Sequence, residues 1–157
     1  MESLSERVIQ SVSHAAELYY KLVILVAPSG AGKTAALQAV HDHTTAPLIN
    51  VNLEISRRML DLTERQRALQ LPRVLADIVG ASVADMILLD NVEVLFDVSL
   101  RQDPLRLLQG LSRNKTVVAA WSGIVDGKHI VYAAPGHPEY RRYPLGDILA
   151  VYAEAAA

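Results

Sequence analysis

An unbroken apolar run that ends in a short glycine-containing loop constrains the fold of this chain more than any other feature. Residues 22–27 read Leu-Val-Ile-Leu-Val-Ala, without a polar position. A strand that is buried on both faces, as in a parallel sheet, has this kind of sequence. A helical pattern then begins near Lys33 and continues to about His43. The region therefore predicts a buried strand, a tight loop and a helix.

The loop between this strand and this helix matches the Walker A pattern, except that alanine replaces the first glycine. Gly30 and Gly32 allow the backbone to turn so that successive N–H groups point at phosphate oxygens. Lys33 can supply a charge to the β- and γ-phosphates, and the Thr34 hydroxyl can ligate Mg²⁺. We therefore predict a binding site for ATP and Mg²⁺ that consists of Ala27, Pro28, Ser29, Gly30, Ala31, Gly32, Lys33 and Thr34.

The rest of the chain alternates between strand-like and helical segments. Helix starts are indicated by capping residues at Ser3, Asn52, Thr63 and Asp103. Strands are predicted at residues 47–51, 86–89, 116–121 and 129–133, and residues 148–152 fit a strand or a helix equally well. Such alternation predicts a three-layer α/β fold with a mostly parallel central sheet, which we expect to form one domain over residues 1–157.

A second motif follows from the strand that ends at Asp90. Residues 86–90 read Met-Ile-Leu-Leu-Asp, which is a Walker B pattern. Ligands of open α/β sheets bind outside the carboxyl ends of the strands, so Asp90 should lie at that edge. There it can hold Mg²⁺ directly or through water. The predicted metal ligands are therefore Thr34 and Asp90.

The group that would orient or deprotonate the attacking water is less clear. Many AAA+ proteins carry a glutamate directly after the Walker B aspartate, but here that position is Asn91, whose amide can orient a water and cannot act as a base. Glu93 is one candidate and Glu54, after the second strand, is another; a third possibility is that neither acts. Ser122, after the fourth strand, is either a γ-phosphate sensor or an ordinary loop serine.

Arginines that could stabilise a transferring phosphate are spread over the second half of the chain. Arg141 and Arg142 are the first choice, because residues 135–144 are rich in turn formers and aromatic side chains, as contact surfaces are. The remaining candidates are Arg101, Arg106 and Arg113.

Composition limits the other classes of function. The chain has 157 residues, no cysteine and a formal net charge of −2, so neither disulfides nor a bulk attraction to nucleic acid is expected. The acidic N-terminus has no signal-like apolar core, and the apolar run that ends at Pro28 is far shorter than a membrane span. We expect a cytoplasmic protein without a membrane partner.

Several longer runs make the chain resemble a known family. These runs are residues 48–54, 62–70, 90–91, 102–114, 119–123 and 136–144. In them the sequence is similar to the BrxF family, the small P-loop proteins of type 3 BREX phage-defence systems. The resemblance covers nearly the whole chain and implies a role in defence, with other BREX proteins as partners.

Together these patterns predict a P-loop NTPase of the AAA+/RecA-like division that lacks a helical lid domain. Three functions compete: an ATPase that acts as a homo-oligomer or within a defence complex, a nucleotide-gated binding module with little hydrolysis, and a small-molecule kinase. The kinase reading requires an arginine-rich lid, for which the sequence has no convincing segment. DNA is a further candidate partner, because a ring could gather Arg57, Arg58, Arg65 and Arg67 into one patch.

Overall fold

A computed structural model describes residues 3–153 of the chain. It contains five α-helices and seven strands. The helices are α1 (Leu4–Ala15), α2 (Lys33–Thr44), α3 (Val51–Arg58), α4 (Glu64–Gly80) and α5 (Pro104–Leu111). The strands are β1 (Leu22–Ala27), β2 (Leu48–Asn50), β3 (Met86–Asp90), β4 (Thr116–Asp126), β5 (His129–Tyr132), β6 (Arg141–Pro144) and β7 (Leu149–Tyr152). In the described part of the chain, no helix is long and apolar enough to cross a membrane.

Five strands form a parallel sheet in the order β2-β3-β4-β1-β7. The predicted α/β fold with a mostly parallel sheet is confirmed. β4 separates β1 from β3, so the glycine loop, which follows β1, and Asp90, the last residue of β3, belong to strands that are not neighbours. The carboxyl ends are nevertheless in register, since Ala27 pairs with Ser122 and Asn50 pairs with Asp90.

Helices cover both faces of the sheet, and β1 is buried between them. Alternate β1 residues belong to different cores: Ile24 and Val26 pack in the cluster that contains α3, α4 and α5 residues, whereas Val23 and Leu25 pack with α1 and α2. All six β1 residues are buried. This two-sided burial explains why the strand has no polar position.

β4 belongs to two kinds of pairing. Its first half lies in the parallel sheet, and its second half, from Gly123 to Asp126, pairs antiparallel with β5. β5 in turn pairs antiparallel with β6. The approach of β5 to β4 is close at Gly123, where an added Cβ atom would lie 1.9 Å from the Val131 carbonyl oxygen. Only glycine fits there, so Gly123 permits the close approach of β5 where its antiparallel pairing with β4 begins.

Several predicted boundaries differ from the structure. β4 extends five residues beyond the predicted end at Trp121, because its pairing with β5 continues the strand. Asn50, and not Asn52, caps α3, because β2 ends at Asn50 and the Asn50 side chain accepts the Leu53 N–H at 3.0 Å. Residues 148–152 form strand β7, which pairs with β1. β6 was not predicted at all.

Candidate functional site

The loop that joins β1 to α2 is shaped by two glycines. Gly30 has φ +79° and Gly32 has φ +94°, both in the left-handed region that other residues rarely adopt. A Cβ atom at either position would meet no other atom within 4 Å, so the backbone conformation, and not a lack of space, requires glycine. Gly32 is also the N-cap of α2. The loop therefore presents the positive end of a twelve-residue helix to whatever binds above it.

Lys33 is buried in this loop, with 7% of its surface exposed. Its Nζ donates hydrogen bonds to the carbonyl oxygens of Ala27 and Pro28, each at 2.9 Å. Burial lowers the pKa of Lys33, while the nearby carboxylates of Glu93 and Asp90 act in the opposite direction. The loop thus holds a charged, partly desolvated amine next to its own backbone, where an anion could replace the carbonyl oxygens.

Thr34 and Asp90 are joined across the sheet edge. The Thr34 hydroxyl donates to Asp90 Oδ2 at 2.7 Å, and Asp90 Oδ1 accepts the Asn91 N–H at 2.9 Å. Asp90 is 7% exposed. A hydroxyl and a carboxylate are oxygen ligands of the kind that Mg²⁺ uses when substrate phosphates and water complete its shell. Residues 3–153 contain no cluster of three or more His, Cys, Asp or Glu side chains that could hold a metal by themselves.

Glu93 and Ser122 form the third contact of the site. The Ser122 hydroxyl donates to Glu93 Oε1 at 2.5 Å. Glu93 lies in a 3₁₀ turn, Val92–Phe96, that follows β3, and Ser122 lies in β4 next to Ala27. Asn91, between β3 and this turn, has φ +54°. The turn after β3 and the middle of β4 therefore bring a carboxylate and a hydroxyl together, and Ser122 lies within β4 and not after it as predicted.

These residues enclose a cavity of about 190 Å³ at the carboxyl edge of the sheet. Its lining consists of Ser29, Gly30, Gly32, Lys33, Thr34, Asp90, Asn91, Glu93 and Ser122. All predicted catalytic and metal-binding residues line this cavity. Five of the eight loop residues that were predicted to bind phosphate line it as well. Ala27 and Pro28 contribute through the carbonyl oxygens that hold Lys33, and Ala31 donates its N–H to the Pro28 carbonyl oxygen at 3.1 Å.

A second cavity of about 520 Å³ adjoins the first. The two share Ser29, Asn91, Glu93 and Ser122. The remaining lining comes from β5 and the loop after it, namely Tyr132, Ala133, His137 and Glu139. The sequence indicated only a contact surface over residues 135–144, because no local spacing links this loop to the glycine loop. Pairing of β5 with β4 is what brings it there.

A larger cavity, of about 580 Å³, lies elsewhere. Its lining includes Leu22, where β1 begins, and Ile148, which precedes β7. It is therefore at the amino edge of the parallel sheet, the end opposite to the glycine loop. Its lining is mainly apolar, although Asp103, Arg106 and Asp147 belong to it, and it includes none of the residues of the Ala27–Thr34 loop. The size of a cavity alone therefore does not identify the site.

Some predicted candidates lie away from the glycine loop. Glu54 is on α3, where it forms ion pairs with Arg57 at 3.6 Å and Arg58 at 3.8 Å, and it lines neither of the two adjoining cavities. The same holds for the five candidate arginines among the residues that the structure describes. Arg141 donates to the Gln102 carbonyl oxygen at 2.8 Å, and the Arg113 guanidinium lies 5.2 Å from the centre of the Tyr19 ring.

Comparisons with known proteins add no relative. No protein-family model matches the chain, and no curated protein matches it significantly.

Proposed function

We propose that this chain binds Mg²⁺–ATP at the Ala27–Thr34 loop and hydrolyses it. The observation that carries the proposal is the Thr34–Asp90 hydrogen bond of 2.7 Å beside the buried Lys33. Two motifs that are 56 positions apart in sequence meet with the side chains that a triphosphate and its metal need. The separation of β1 from β3 by β4 supports the AAA+/RecA-like division of P-loop proteins.

Each residue of the cavity has a role in this proposal. The backbone N–H groups of the loop bind phosphate oxygens, and Lys33 leaves the Ala27 and Pro28 carbonyl oxygens to contact the β- and γ-phosphates. Thr34 and Asp90 would hold Mg²⁺, which would neutralise charge on the phosphate oxygens. To do so, Thr34 would turn its hydroxyl proton away from Asp90, so that the oxygens of both side chains could act as ligands.

Glu93 is the proposed general base. It lines the same cavity as Lys33 and Thr34 and accepts a hydrogen bond from Ser122, which fixes its orientation. The other acidic candidate, Glu54, is engaged with two arginines on α3. Glu93 would accept a proton from the attacking water, and Ser122 would hold the carboxylate oriented toward that water.

A nucleotide-gated module that hydrolyses ATP slowly is the second candidate. It is favoured by one observation: among residues 3–153, no arginine lines the two adjoining cavities. If an arginine is needed, it comes from another copy of this chain or from another protein, for which BREX components are the proposed partners and a homo-oligomer the simplest source. DNA as a partner and a cytoplasmic location stay proposals that rest on sequence alone. The arginine-rich lid that a kinase requires is not found in the lining of the neighbouring cavity, as far as the described residues extend.

The experiment that tests the proposal measures binding and turnover separately. Isothermal titration gives the affinity for Mg²⁺–ATP, and phosphate release gives the turnover at several protein concentrations. Lys33→Ala should abolish both, while Lys128→Ala, an exposed lysine at the β4–β5 turn, should change neither. Tight binding without turnover at any protein concentration would exclude the ATPase and leave the nucleotide-gated module as the function. Binding that survives Lys33→Ala would refute the proposed site. Turnover that rises more than proportionally with concentration would support shared sites.

A further inference from the structure

The residue after Asp90 has an unusual backbone. Asn91 has φ +54° and ψ +49°, the left-handed helical region. This conformation costs most residues about 1–2 kcal/mol, and asparagine is one of the few that tolerate it. Two hydrogen bonds hold it in place: the Asn91 N–H donates to Asp90 Oδ1 at 2.9 Å, and the Asn91 carbonyl oxygen accepts the Asn52 N–H at 3.1 Å.

The course of the chain depends on this one residue. β3 ends at Asp90, and the left-handed residue redirects the backbone into the 3₁₀ turn Val92–Phe96. Val92, Leu95 and Phe96 are buried in the core on the α3–α5 side of the sheet, and this packing fixes the position of the turn. Glu93, in the same turn, accepts a hydrogen bond from the Ser122 hydroxyl. A carboxylate two residues beyond the usual position therefore reaches the cavity.

We propose that Asn91 is a positioning residue whose left-handed backbone delivers Glu93 into the site. The inference rests on the proposed function for the reaction that Glu93 serves. It gives the asparagine a role that does not depend on its amide. The alternative is that the amide itself orients the attacking water, since Asn91 also lines the cavity.

Two substitutions separate these roles. Asn91→Gly removes the amide and keeps the left-handed backbone without strain, whereas Asn91→Ala removes the amide and makes that backbone costly. We expect kcat of Asn91→Gly to exceed kcat of Asn91→Ala about tenfold at a similar KM, because the penalty for the left-handed region corresponds to such a factor. Equal losses in both variants would show that the amide acts, and an unchanged Asn91→Ala would show that the turn does not matter; either result overturns the proposal.

A second measurement needs no nucleotide. Ser122→Ala removes the partner of Glu93, so it should lower the urea midpoint only where Glu93 is in place. We expect that shift in wild type and in the Asn91→Gly background, and a shift reduced by half or more in the Asn91→Ala background. The same shift in all three backgrounds would overturn the proposal. If wild type neither binds nor hydrolyses ATP, the proposed function fails, while this double-mutant comparison still decides the role of Asn91.

Discussion

The hydroxyl of Ser122, in β4, donates a hydrogen bond to the carboxylate of Glu93, in the turn that follows β3, with 2.5 Å between the two oxygens. Ser122 is also the residue beside Ala27 in the sheet, so the contact lies directly behind the glycine loop. Because this hydrogen bond fixes the orientation of the Glu93 carboxylate, its second oxygen is held in one position. Replacement of the Glu93 carboxylate is the most direct test of hydrolysis.

Glu93→Gln should therefore abolish turnover and leave nucleotide binding intact. The glutamine keeps the size and can still accept from Ser122, but it cannot take a proton. Loss of a general base costs about 10²–10⁴ in kcat, which phosphate release under saturating Mg²⁺–ATP would measure. Glu54→Gln is the matched control, since it replaces the acidic candidate outside the cavity and should leave kcat unchanged. A larger loss in Glu54→Gln than in Glu93→Gln would reverse the two assignments.

Thr34→Val should make ATP binding insensitive to Mg²⁺. Valine has nearly the shape of threonine and lacks the hydroxyl that bonds Asp90 and would ligate the metal. Titration of ATP with Mg²⁺ and with EDTA gives the ratio of the two dissociation constants. This ratio should fall toward one in Thr34→Val and in Asp90→Asn, whereas Thr34→Ser should keep the wild-type value. A wild-type ratio in Thr34→Val would place the metal elsewhere.

Gly123→Ala should destabilise the fold. The added methyl group would lie 1.9 Å from the Val131 carbonyl oxygen and 3.0 Å from Trp121 Nε1, so the β4–β5 pairing must shift. We expect a loss of about 3 kcal/mol in the free energy of unfolding, the upper end of the range for overpacking, measured by urea with the fluorescence of Trp121, the only tryptophan.

Gly110→Ala is the control for that substitution. Gly110 is in α5, and a Cβ atom there would meet nothing within 4 Å. Alanine in a helix should stabilise the protein by about 0.5–1 kcal/mol relative to glycine. Equal effects of the two glycine substitutions would contradict the close approach of β5 at Gly123.

Lys33 should make stability depend on pH. Burial lowers its pKa in the folded state below the ordinary value of 10.5. Between these two values the unfolded chain binds more protons than the folded one, so stability rises with pH across that window. Relative to Lys33→Met, which lacks the group, the free energy of unfolding of wild type should therefore increase from neutral pH toward 10.5. Urea denaturation at several pH values would measure the difference; a difference that shrinks with pH would contradict the direction of the shift.

Local sequence was enough to predict the strands that are buried on both faces and the helices that begin with a strong capping motif. β1 is apolar throughout, β3 is apolar up to its last residue, Asp90, and α4 has at Thr63 the predicted capping box with Gln66. Local sequence was not enough where pairing between strands determines the end or the existence of an element. Asn50 and Asn52 are equally good caps, and only the pairing of Asn50 with Asp90 ends β2 early enough to select the first. β6 reads Arg-Arg-Tyr-Pro, a polar segment that is a strand because β5 lies beside it.

The same division holds for the candidate site. The glycine loop and Asp90 could be recognised from short stretches of local sequence. In the structure they are in contact, through the Thr34–Asp90 hydrogen bond. The choice between Glu93 and Glu54 could not be made from spacing, since it depends on the left-handed residue after β3 and on ion pairs within α3. His137 and Glu139 could not be foreseen, because a hairpin carries them across from a different strand. The catalytic roles of all these residues stay predictions.

The alternating burial of β1 has a practical consequence for genetics. Since its odd and even positions belong to separate cores, damage to either helical layer is transmitted to the strand on which the glycine loop is mounted. Substitutions as far apart as α1 and α5 would then share one phenotype, an inactive protein with an intact motif. A screen that measures activity alone would therefore assign catalytic roles to residues whose substitution only disturbs folding.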